Sequence, residues 1–396
     1  MKVAGAGTVL AVAVVMLTGA GQVAGASATG PRSQAQYRVR TLPSLGGTTS
    51  AGNSINDRGW IAGSSNRRGD HTEHASLWRG GKVLDLGTLG GPNSDVQWPV
   101  KNDRGLVAGI SQTSRPDPLK EQWSCAAFLP PAKAGPRQCL GFAWRNGVMR
   151  PLSTLGGTNG FATGVNNRNE IVGWAETRVH DRTCVRPQVR QFRAAVWGPA
   201  LGEIHALAPL PGDTASAATA INDRDQVAGI SGYCDQAVGR FSAIHAVLWQ
   251  HGRVTPIPTL GGVAWNTPMA INDVGEVVGF ANASAADAGS LDPLAFAWTP
   301  QHGTRNLHTL PGDVTSQALG INNRGEIVGT SCNAKGHCRA FRWRDGVMTN
   351  LNKVIGDGGH DILTAADDIN DAGTITGQAI DTRTGRSVAF EATPRS

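Results

Sequence analysis

Trp98, Phe161 and Trp265 stand close in sequence to Asn93, Asn159 and Asn266. An aromatic face stacks on the apolar face of a sugar, and an amide offers the donor and acceptor that sugar hydroxyls need. The stretch RVHDRTCVRPQVRQFR adds Arg178, Arg182, Arg186, Arg190 and Arg193. Guanidinium groups take carboxylate or phosphate through paired hydrogen bonds. These residues outline a site for a cell-surface glycan or an anionic envelope polymer. Trp98, Phe161 and Trp265 would stack, Asn93 and Asn266 would bond hydroxyls, and Arg182 and Arg186 would meet negative charge. The competing reading of the aromatics is that they plug an interior channel.

Signals for catalysis are weaker. The chain holds no His-Glu-x-x-His, no Gly-x-Ser-x-Gly, no phosphate loop and no EF-hand spacing. His71 and His74 in HTEH are three apart, but they fall in a loop beside a strand. Glycoside hydrolysis needs two carboxylates flanking one bond. Asp95, Asp213, Asp313 and Asp357 are the pool that could meet across a channel mouth. Asp57, Asp103, Asp223, Asp273 and Asp371 recur in one turn phrase and read as turn residues. No cofactor and no metal are expected. A polysaccharide hydrolase or lyase is the runner-up to a binding module, and a non-catalytic protein-interaction scaffold is a third reading.

The elements that position these residues come from a repeat. The phrase INDRGWIAG at 55–63 returns with its Asn at 56, 102, 166, 222, 272, 322 and 370, seven times in all. Each copy leads to an apolar triplet ending in glycine, then to a run such as HASLW or AFAW, ending in Trp78, Trp144, Trp197, Trp249, Trp298 and Trp343 in the first six copies and in Ala392 in the last. A short fourth run leads into Leu-Gly-Gly, or into Pro-Gly-Asp at 211–213 and 311–313. Short runs rich in Val, Ile, Phe and Trp, bounded by Gly, Asn and Asp, read as strands, and none holds a helical period. Four strands per unit, lettered A to D, match propeller blades.

The reading is an all-β, seven-bladed β-propeller of four-stranded antiparallel blades. Its repeats are 43–86, 87–152, 153–208, 209–258, 259–308, 309–352 and 353–394. YRVRTL at 37–42 reads as a D strand without a blade of its own, and the last unit ends after its C strand. The N-terminal strand is therefore expected to complete the last blade and remove the open edges of a linear array. The phrases HASLW, LAFAW, DLGTLGG and INDRGWIAG resemble those of the HAF-repeat family of extracellular bacterial proteins, over residues from about 37 to 394. The resemblance implies fold and secretion and carries over no catalytic residues.

Lys2, the apolar Val9–Leu17 and the small residues at 24–28 read as a signal peptide over 1–28, followed by a linker at 29–36 and the propeller at 37–396. The expected product is extracellular, without a membrane span, and monomeric. The formal charge of +6 favours anionic partners. A protein partner is the other candidate, and no nucleic acid is expected. All six cysteines fall between a B and a C strand. The layout suggests Cys125–Cys139 and Cys332–Cys338 within loops and Cys184–Cys234 between neighbouring blades. Export favours these disulfides over a metal loop at CNAKGHC. B–C and D–A loops share one face and carry most of the length variation, so any site is placed there.

Overall fold

The computed structural model describes residues 36–121, 123–130, 135–200, 202–235, 239–284, 290–356 and 361–395. The predicted signal peptide and all of the predicted linker but Gln36 lie outside the described residues, as does Asp357. The chain forms seven four-stranded antiparallel sheets, the first six each built from one repeat in the order A-B-C-D. Blade 3 illustrates the pattern, with strands at Gly156–Val165, Ile171–His180, Arg190–Trp197 and Ile204–Leu207.

Blade 7 joins the two ends of the propeller. Its outer strand is Tyr37–Thr41, paired antiparallel with Arg386–Pro394 so that Tyr37 faces Pro394 and Thr41 faces Phe390. The N-terminal strand thus closes the ring as the broken end units predicted.

The Ile-Asn phrase makes the A–B hairpin by side-chain chemistry. In blade 1 the Asn56 Oδ1 accepts the backbone N–H groups of Arg58 (3.1 Å) and Trp60 (2.9 Å). The turn needs a positive φ, met by Gly59 at 71°. Blades 3 and 4 place Asn169 (65°) and Asp225 (59°) there instead, residues that tolerate the left-handed region. Further along, the glycine ending the apolar triplet meets strand A closely. A Cβ on Gly329 would lie 1.9 Å from the Gln317 carbonyl oxygen, and on Gly63 2.0 Å from that of Ala51.

Two closed rings of hydrogen bonds link the blades at the A–B face. The Nδ2 of each Ile-Asn asparagine donates to the backbone carbonyl of the next, from Asn56 through Asn102, Asn166, Asn222, Asn272, Asn322 and Asn370 back to Asn56, at 2.8–3.2 Å. The following residue forms a second ring, its backbone N–H donating to the next side-chain Oδ1 at 2.6–2.9 Å. That ring holds Asp57, Asp103, Asn167, Asp223, Asp273, Asn323 and Asp371, so the recurring aspartates are turn residues with an inter-blade task.

The other repeated phrases also bond across layers. The Trp78, Trp197 and Trp249 indoles donate to the carbonyls of Pro43, Ser153 and Ala208, where the preceding blade's D strand ends. The leucine N–H at 45, 89, 210 and 310 donates to the serine hydroxyl of strand B at 65, 111, 231 and 331. This bond anchors the Leu-Gly-Gly or Leu-Pro-Gly turn to its own sheet. Apolar clusters fill the wedges between blades.

Two departures from the regular pattern occur in blade 2. Its A strand is regular only at Gly90–Asp95, and residues 96–101 run on without ladder bonds, carrying Trp98 and Pro99. Proline cannot donate to a ladder. The B–C insertion holds the α-helix Trp123–Phe128, too short for any sequence period to reveal.

Asn222→Ala is expected to lower unfolding free energy by about 1–3 kcal/mol, since it removes one buried inter-blade donor and leaves two partly buried N–H groups without their acceptor. Urea denaturation of the two proteins checks this.

Candidate functional site

On the loop face the structure brings Trp98, Phe161 and Trp265 into one cluster and covers them. They are 5%, 0% and 9% exposed, so no ring face is offered to a sugar. The helix in the blade 2 insertion lays Phe128 across Trp98 and Phe161, at ring-centre distances of 5.3 and 4.9 Å. Trp174 closes the group, 4.6 Å from Phe161. The expected stacking platform is therefore a dry plug. Burying large rings against one another contributes more than leaving them in water, and the inserted loop is long enough to cover them.

The asparagines are buried too and bond to backbone. Asn93 accepts from the Glu73 N–H at 2.9 Å and donates to the Pro130 carbonyl at 3.0 Å. Asn159 accepts from the Cys139 N–H at 2.9 Å. Asn266 donates to the Ile244 carbonyl at 2.7 Å. Asn93 and Asn266 therefore stitch neighbouring blades together and are not free to bond hydroxyls.

The carboxylate pool divides. Asp213 accepts from Ser231 at 2.6 Å and faces His245 at 2.9 Å, while Asp313 pairs with Arg339 at 2.6 Å. Asp95 is fully buried beside Glu73. Burial, with Asp95's charge added, pushes Glu73 up to about 8, and burial pushes Asp95 up to about 7. A second acidic group lies under the inserted loops. Glu176 accepts from the Thr158 and Asn159 N–H groups at 3.0 and 2.9 Å. Burial first, then the charge of Glu121, pushes Glu176 up to about 7. Glu121 in turn accepts from the Val189 N–H at 2.9 Å, tying the blade 2 insertion to that of blade 3. His74 is buried and bonded to Asp85 at 2.8 Å, so HTEH presents no free pair of metal ligands.

All three disulfides form as the layout suggested: Cys125–Cys139, Cys184–Cys234 and Cys332–Cys338. They point to an oxidising, extracellular compartment. Among the described residues, no helix is long and apolar enough to cross a membrane.

Cys184–Cys234 clamps the arginine-rich loop of blade 3 to the blade 4 insertion, reinforced by the Cys234 N–H donating to the Thr183 hydroxyl at 2.9 Å. Arg182 and Arg186 stand exposed on one side of this bridge. On the other side stand Tyr233 and Phe241, 45% and 41% exposed. The Tyr233 N–H donates to the Phe241 carbonyl at 2.9 Å, and Asp235 holds the N–H groups of Phe241 and Ser242 at 2.9 and 2.7 Å. The Arg240 guanidinium lies 4.3 Å from the centre of the Phe241 ring. Sequence reasoning missed both aromatics. The available signal was their place in a B–C insertion, with Tyr233 directly before Cys234.

No protein-family model matches the chain, and no curated protein sequence matches it. Among solved structures, the β-propeller domain of the Trilobed protease from Pyrococcus furiosus is similar at TM-score 0.49 and 9% identity, covering 87% of this chain and 97% of that one. An oligogalacturonate lyase in complex with manganese is similar at TM-score 0.48 and 12% identity, covering 93% and 99%. A gluconolactonase from Xanthomonas campestris reaches TM-score 0.35 at 13% identity, covering 65% and 79%. These likenesses concern the propeller shape and carry no activity or metal to this chain.

The buried acids set the pH dependence of stability. The folded values of Glu73, Asp95 and Glu176 lie above their ordinary 4.5, 3.8 and 4.5, so the folded chain holds these protons more tightly. Their contribution is complete below the unfolded values and is lost as pH rises through about 7 to 8. The urea midpoint is expected to fall between about pH 5 and about pH 8.5, and Asp95→Asn to flatten part of that fall.

Proposed function

We propose that the protein is a secreted, non-catalytic binding module whose ligand is an anionic cell-surface glycan or envelope polymer, held at the crosslinked loops of blades 3 and 4. Tyr233 and Phe241 would stack on sugar rings, and Arg182, Arg186 and Arg240 would meet carboxylate, sulfate or phosphate groups. The observation that carries this reading is the exposed Tyr233–Phe241 pair. Among the described residues they are the exposed large aromatics, while the other big rings of this face are packed away.

Physical cost supports the assignment. Two large aromatics exposed side by side on one loop form an apolar patch of the kind that marks an interaction surface. Here the residues beside both rings are held by a disulfide, a carboxylate bracket and a backbone bond between Tyr233 and Phe241. Such anchoring lowers the ordering cost of binding. Neighbouring arginines add charge selection and make affinity depend on salt. Export, as read from residues 1–28, and the disulfides suit an extracellular polymer. The hydrolase or lyase reading lacks this support. Asp95 is sealed from solvent, and Asp213 and Asp313 are held by their own partners.

Tyr233→Ala with Phe241→Ala is expected to weaken binding to anionic glycans or purified cell wall by about ten-fold or more, each stacked ring being worth roughly 1 kcal/mol. The melting temperature should stay within a degree or two, because the exposed rings support no core. Arg182→Gln with Arg186→Gln should weaken binding at low salt and leave little difference at high salt. A glycan array and sedimentation with cell wall read both. Unchanged binding by the Tyr233/Phe241 variant would overturn the site.

A further inference from the structure

A cleft lies on the opposite face, between blade 6 and the ring-closing blade 7. It is an open cleft of about 730 Å³ lined by Tyr37, Arg324, Glu326, Arg342, Arg344 and Arg395, among others. Tyr37 comes from the N-terminal strand, Arg395 follows the last C strand, and the rest belong to blade 6.

Among the described residues, the charges in this cleft do not balance. Glu326 is 3% exposed and takes Arg324 through Nε at 3.2 Å and Nη2 at 2.8 Å, and Arg344 at 3.4 Å. Arg344 also reaches Asp345, which is almost wholly in solvent. Arg342 feels the Glu326 charge, but its hydrogen bonds among the described residues go to neutral groups, the Tyr37 hydroxyl at 2.8 Å and the Gln36 amide oxygen at 3.4 Å. Its Nε is buried and has no partner. Arg395 forms no ion pair among the described residues, its backbone N–H alone being bonded, to the Gln36 carbonyl at 2.8 Å. Four guanidinium groups thus face one buried and one exposed carboxylate around a space large enough for a small molecule.

Like charges gathered in a cleft repel, and the repulsion grows as water is excluded. A bound oxyanion removes it and gives the fork-shaped donors their two-oxygen acceptors. We propose that the seam cleft binds a compact oxyanion carrying at least two negative charges, a phosphate ester or a di- or tricarboxylate. Its donors come from blade 6 and from the residue that follows the C strand of blade 7, so an occupant ties blade 6 to the ring-closing blade. Binding to the folded state alone then raises stability by linkage. This site lies on the face away from Tyr233 and is independent of the polymer-binding reading.

The test uses the folded protein with pyrophosphate and with citrate at matched ionic strength, by titration calorimetry and thermal unfolding. One saturable site and a rise in melting temperature are expected with at least one probe. The tighter probe assigns the natural ligand to phosphate or to carboxylate chemistry. Arg344→Gln with Arg395→Gln removes two exposed arginines and is expected to weaken binding by about ten-fold or more. Arg145→Gln with Arg253→Gln removes equal charge from exposed positions elsewhere and should leave affinity unchanged. No saturable binding of either probe, or equal loss in both double variants, overturns the proposal.

Discussion

One bond, repeated around a circle, holds this molecule in register. The side-chain amide of each Ile-Asn asparagine donates to the backbone of the next blade, and the seventh returns to the first. Each such bond is worth only about 1 kcal/mol net. Its importance is geometric, because a closed ring fixes every inter-blade angle at once. The same asparagine's Oδ1 also fastens its own hairpin, as Asn222 does for Arg224 and Gln226. A single residue type therefore joins local turn formation to global closure, which is a physical reason for the phrase to recur.

With the blades fixed at that face, variation collects at the other. The insertions of blades 2, 3 and 4 are long and tied by disulfides and buried carboxylates. The blade 2 insertion does not decorate the channel mouth. It closes it, by packing Phe128 on Trp98 and Phe161. What remains open on this face is the rim, where Tyr233, Phe241 and the arginines stand. Of the buried acids beneath the rim, Glu121 holds backbone N–H groups of the blade 3 loop, and Glu176 holds those of its own blade's A strand. Polar burial here supports a surface and does not itself face a substrate.

Much of the fold was legible because its determinants are local and periodic. Asparagine, glycine and tryptophan recur at fixed offsets, and each acts in the same place in every turn or wedge. The thiol pairing was legible for a related reason: once the strand order is set, topology leaves few thiols within reach of each other. The candidate site was not legible in the same way. Trp98, Phe161 and Trp265 were recognised as belonging together, yet whether a ring is covered depends on a helix of six residues that has no period of its own. Asn93 and Asn266 looked like free amides because the backbone groups they bond to belong to other blades or to an inserted loop.

The chain by itself therefore determined the number of blades and their strand order, which follow from short-range chemistry repeated seven times, and through that order the closing strand and the disulfides. Only the tertiary structure decided which aromatics are buried and which are exposed, and that Arg395 shares one cleft with three arginines of blade 6. Exposure is a property of what packs over a residue. For the irregular insertions and the meeting of the two ends, that covering comes from segments tens to hundreds of residues away, and no local pattern records it.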